Sequence, residues 1–116
     1  MGVVLDSTVV IAAERAGKNP RRVVEDLAAS LGDTEATLSV ITVIELSHAI
    51  ERANSVERRT ARQLFLDELL QEIAVEPVTV PIALRAGKLD GELAARGMRV
   101  ALGDLLIGAT ALQPWL

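Results

Sequence analysis

Cysteine is absent from these 116 residues, and Phe65 and Trp115 are the only aromatic side chains. The first absence excludes disulfides and thiolate metal sites and fits a reducing compartment. The second means that the core must be built from Val, Ile, Leu and Ala, which suits helices packed on a parallel sheet. No apolar run reaches the roughly 18–20 residues of a membrane span, and the N-terminus lacks the basic flank and cleavage site of a signal peptide. The expectation is a cytoplasmic protein that does not enter a membrane. Lysine occurs only at Lys18 and Lys88, and acids outnumber Lys and Arg by 16 to 12. That balance argues against a generic nucleic-acid coat without deciding the partner, because an acidic metal site draws positive charge from its ions.

What is present is a regular alternation of elements. The whole chain, 1–116, reads as one domain, and a domain of this size buries roughly two thirds of the surface its unfolded chain exposes. Gly2–Leu5 is a continuous apolar run and predicts a buried strand; a helix follows over Val9–Arg15, closed by Gly17. Asn19-Pro20 starts a second helix, with Val23, Val24, Leu27, Ala28 and Leu31 on its apolar stripe. Thr37–Ile41 reads as strand two and the segment after it as a helix with Val43, Leu46, Ala49 and Ile50 on one face. Ser55 caps a further helix, Ile73–Val75 is a third strand, Thr79 opens a helix running to about Arg96, and the last helix starts at Asp104 and ends at Pro114. Strands alternating with helix pairs predict an α/β fold with a short parallel sheet sandwiched by helices.

In such sheets ligands bind beyond the carboxyl ends of the strands, so carboxylates at element starts take priority. Asp6 follows strand one, Glu45 lies one helical turn after strand two, and Asp104 opens the last helix. Each also has a purely structural reading. Asp6, Ser7 and Asp104 are good N-caps, and Thr42 with Glu45 has the S/T-x-x-E spacing of a capping box. Gathered in one cleft, the three acids would raise one another's pKa unless a cation were present, and the cation that suits carboxylate oxygens is Mg²⁺ or Mn²⁺.

The segments "VVLDSTVVIAAER", "LSVITVIELSHAIERA" and "VALGDLLIGATAL" resemble, in order and in register over nearly the whole chain, the acidic motifs of PIN-domain ribonucleases, in particular VapC-like toxins of toxin–antitoxin pairs. The resemblance implies a PIN-like α/β/α sandwich and a catalytic metal cluster of Asp6, Glu45 and Asp104. It also implies Mg²⁺- or Mn²⁺-dependent hydrolysis of RNA by an activated water, with Ser7 and Thr8 supporting the carboxylates. A small antitoxin is the implied protein partner. Ser7 is no nucleophile on this reading, since the single histidine, His48, comes with no matching Ser and Asp set. His48 three residues after Glu45, Asp90 and Glu92 read as helix-surface residues, and Arg52, Arg58, Arg59 and Arg62 as surface charges that also suit RNA phosphates.

VapC-like domains continue past the "DLLIGATAL" helix into another strand and a fourth acidic or amide-bearing position, whereas this sequence stops at "QPWL". The resemblance therefore implies a sheet short of its usual C-terminal strand, with strand one unpaired along one side. From this follow two expectations. One is self-association, through that edge or through Leu112, Trp115 and Leu116. The other is weakened metal binding, with impaired activity or an inactive remnant that still binds an antitoxin. A receiver-like signalling domain also places an Asp after a parallel strand, but it needs a Lys after the last strand, where this chain has none.

Overall fold

The computed structural model describes residues 2–32 and 35–111. Three strands, β1 (Gly2–Leu5), β2 (Glu35–Ser39) and β3 (Ala74–Glu76), form a parallel sheet in the order β1-β2-β3. Its register pairs Leu5 with Leu38 and Ser39 with Glu76. Parallel neighbours need crossover connections. Helices α1 (Ser7–Arg15) and α2 (Pro20–Leu31) make the first, and α3 (Val40–Glu51) and α4 (Val56–Glu72) the second. A final pair, α5 (Val80–Ala95) and α6 (Leu102–Ala111), packs together, with α6 also against β1 and α3. This is the expected α/β class, and no helix among the described residues is long and apolar enough to cross a membrane.

The main core joins Leu5 and Leu38 on one face of the sheet to Val10 of α1, Leu46 and Ile50 of α3, and Leu66 and Leu69 of α4. Side chains alternate along a strand, so Thr37 and Ser39 of β2 turn to the opposite face. A smaller cluster of Ile82, Ala86 and Ala109 holds α5 to α6. Among the described residues β1 is an edge strand, as anticipated.

Caps set most of the boundaries. Asn19, Ser55 and Thr79 accept from the third residue of their helices, as their positions predict. Strand two, expected over Thr37–Ile41, stops two residues earlier. Ser39 Oγ accepts from the Ile41 N–H at 3.1 Å and turns the β-branched Val40 and Ile41 into the first turn of α3. The first helix starts at Ser7 rather than Val9, because Asp6 caps it. The last begins at Leu102, before Asp104, with the Ala101 carbonyl accepting from Leu105 N. Strand three is displaced by one residue, to Ala74–Glu76. Pro114, Trp115, Leu116 and Leu112 lie outside the described residues.

A local charge cluster ties the α1–α2 turn to α2. Lys18 Nζ lies 2.7 Å from Asp26 Oδ2, and Arg22 Nε donates to Asp26 Oδ1 at 3.0 Å. Hydrogen bonds from Lys18 first and Arg22 second hold the Asp26 carboxyl below its usual range. A depressed folded-state pKa contributes stability above the unfolded value of about 3.9, lost as pH falls through the folded one. An NMR titration should therefore show the Asp26 midpoint rising in Lys18→Met; an unchanged midpoint would contradict the assignment.

Candidate active site

The site forms where β1 ends and α1 and α3 begin. β1 delivers Asp6 directly beyond its carboxyl end, and the Asp6 Oδ1 accepts from the Val9 N–H at 3.1 Å, capping α1. One residue on, Ser7 Oγ donates to Glu45 Oε2 of α3 at 3.1 Å. The expected support from a hydroxyl thus falls to Ser7, while Thr8 is exposed and makes no hydrogen bond to Asp6, Glu45 or Asp104.

The capping box drawn from Thr42 and Glu45 is not formed. Ser39 is the cap, Thr42 is fully buried with its hydroxyl donating to the Leu5 carbonyl at 3.1 Å, and Glu45 is free to meet Ser7. The signal for Thr42's role was in its place on the stripe Thr42, Leu46, Ile50, all buried. A hydroxyl on a buried stripe needs a partner inside the protein.

Asp104 is exposed in the first turn of α6, inside the helix rather than at its cap. The neighbouring Gly103 faces α3, where a Cβ would stand 3.5 Å from Ile41 Cγ2, at ordinary contact distance. Two of the three anticipated acids, Asp6 and Glu45, are thus linked through Ser7, and Asp104 sits on the helix that abuts the start of α3.

The three are not gathered into a cage: among the described residues no three His, Asp or Glu side chains are arranged to hold a metal ion. The physical reason lies in local partners, since Asp6 caps α1 and Glu45 is turned toward Ser7. Their chemistry nonetheless fits a hard cation. All three offer exposed carboxylate oxygens, and no Lys or Arg of the described residues pairs with them. Asp90, Glu92 and His48 are exposed on their helices.

A groove of about 410 Å³ runs away from this site between α1, α3 and α4, with Ile11, Leu46, Phe65 and Leu66 along it. Ser7 precedes the groove residue Ile11 by one turn of α1, and Glu45 precedes Ala49 by one turn of α3, so the Ser7–Glu45 bond is on the same side of both helices as the groove. Arg52, seven residues and roughly 10 Å beyond Glu45 at 1.5 Å per residue, lines the groove together with Glu14 and Arg15 of α1 and Arg62 of α4. Arg62 Nη1 donates to the Ala49 carbonyl at 2.6 Å, satisfying an end-of-helix acceptor of α3.

The sequence matches the family model of the PIN domain over residues 3–113. The chain belongs to the PIN domain family. No curated protein sequence matches it. Its PIN fold is shared with VapBC2 from Rickettsia felis, bound to a DNA fragment from their promoter, at a TM-score of 0.78 and 20% identity over 97% of this chain and 80% of that one. FitAcB from Neisseria gonorrhoeae is similar at 0.77 and 26% identity, over 96% and 80%. VapBC-5 from Mycobacterium tuberculosis, of the VapBC family of toxin–antitoxin systems, is similar at 0.69 and 27%, over 93% and 75%.

Proposed function

We propose that this PIN domain is a VapC-like toxin, an endoribonuclease that works in the cytoplasm with Mg²⁺ or Mn²⁺ held by Asp6, Glu45 and Asp104. The observation that carries the reading is the PIN match together with these three exposed acids, Asp6 just past β1, Glu45 within α3 and Asp104 in the first turn of α6. A lowered water pKa and relief of charge on the phosphodiester are what a divalent ion supplies when bound. The chain's own residues do the rest. Ser7 holds Glu45 through its Oγ–H, the Val9 N–H holds Asp6, and Arg15, Arg52 and Arg62 suit phosphates of an RNA strand laid along the groove. The protein partner is an antitoxin, a proposal supported by the toxin–antitoxin assembly of the similar VapBC-5. The outer edge of β1, uncharged over Gly2–Leu5, is where a second copy would pair.

A second reading, a PIN domain without nuclease activity that still binds an antitoxin or itself, is favoured by the carboxylates not being gathered. One assay separates the two. The first reading expects cleavage of RNA with Mn²⁺ that chelation stops; RNA left intact at every Mn²⁺ concentration, by protein that still binds an antitoxin, establishes the second.

A further inference from the structure

We infer that Thr42 is a positioning residue, setting the separation of Asp6 and Glu45 through the backbone of Leu5. Three observations meet at this point. Thr42 is 0% exposed, and its Oγ1 donates at 3.1 Å to the carbonyl of Leu5, the peptide group that leads directly into Asp6. Three residues along α3, on the same side of the helix, Glu45 accepts from Ser7. Two ties from α3 therefore bracket Asp6, one to the residue before it and one to the residue after it.

The ties differ in what they can withstand. Ser7–Glu45 is solvent-exposed and joins a rotatable hydroxyl to a long side chain, so it follows wherever the helix goes. Thr42–Leu5 is buried and joins a β-branched, stiff side chain to main chain. Breaking it leaves a carbonyl acceptor in the interior without its donor, which favours a shift of α3 relative to β1. Leu5 cannot easily follow, because it is packed in the main core and registered with Leu38.

Thr37 supplies a control inside the same molecule. It is also buried, at 1% exposure, but its Oγ1 has no hydrogen-bond partner among the described residues. Removing that hydroxyl breaks no tie. Thr37→Val and Thr42→Val are therefore the same chemical change in two buried places, of which only one touches the link between the acids.

The inference about geometry stands on these contacts; its consequence for metal rests on the nuclease reading. The test is crystal structures and Mn²⁺ titration calorimetry of the full chain as wild type, Thr42→Val, Thr42→Ser and Thr37→Val. Thr42→Val is expected to change the Asp6–Glu45 Cα separation and to weaken Mn²⁺ binding roughly tenfold, the scale of losing a supporting partner. Thr42→Ser, which keeps the donor, restores both, and Thr37→Val leaves both as in wild type. An unchanged separation in Thr42→Val overturns the inference, as does Thr42→Ser behaving like Thr42→Val. A changed separation in a protein whose wild type binds no Mn²⁺ supports the inference and defeats the metal reading instead. Should Thr42→Val fail to fold, the Thr42→Ser and Thr37→Val pair decides: wild-type separation and affinity in Thr42→Ser support the inference, and losses in Thr42→Ser that Thr37→Val does not share contradict it.

Discussion

Replacing Asp6 with Asn is expected to lower kcat/KM for RNA cleavage by at least about 100-fold, since losing a metal ligand should cost no less than losing the groups that support one. The same change should barely alter stability. Asp6 also caps α1 through the Val9 N–H, and Asn caps a helix about as well as Asp, so the folding free energy should move by less than roughly 0.5 kcal/mol. The two roles are thereby separated within one residue. If Asp6 were only a cap, Asp6→Asn would cleave RNA as the wild type does; Asp6→Ala would lower stability by about 1 kcal/mol on either account. Steady-state cleavage beside chemical denaturation of both variants checks this.

The largest expected effect on stability is at Leu38. It is fully buried in the middle strand, registered with Leu5 and part of the main core. Leu38→Ala should cost about 3 kcal/mol, from lost transfer energy and the cavity left behind. Against a total stability of roughly 5–15 kcal/mol that is a large fraction, lowering Tm by about 10 °C. Leu64→Ala, at a residue 57% exposed on α4, should change stability by less than about 0.5 kcal/mol. Comparable losses at both positions, measured by urea denaturation, would contradict the placement of the core.

The fold was legible because its signals are local. Asn19-Pro20, Ser55 and Thr79-Val80-Pro81 announce helix starts, and the apolar run Val3–Leu5 announces a buried strand. Errors fell where two local preferences compete. Val40 and Ile41 carry strand propensity, but Ser39 caps the helix that contains them, and the cap wins. The same competition hid Thr42. Its spacing to Glu45 fits a capping box, yet its burial on the Leu46–Ile50 stripe and its bond to Leu5 depend on β1, 37 residues away in sequence. The helical stripe signals the burial, but no local pattern identifies Leu5 as the partner.

Asp6 and Asp104 lie at the starts of α1 and α6, as their sequence positions suggested, whereas Glu45 lies deeper in α3 than expected because that helix begins at Val40. The orientation of these acids was not legible. Ser7 meeting Glu45, and Asp6 turning to the Val9 N–H, are tertiary and capping choices made once β1, α1 and α3 are packed. On the proposed reading, rotation of these side chains is what would gather them around an ion, since α6 packs against both β1 and α3.

A crystal of the protein soaked in Mn²⁺ tests that claim most directly, because the anomalous signal of the ion locates it without reference to activity. The account predicts a peak coordinated by oxygens of Asp6, Glu45 and Asp104, with Ser7 still donating to Glu45. A peak elsewhere, or none at these three residues at millimolar Mn²⁺, would contradict it.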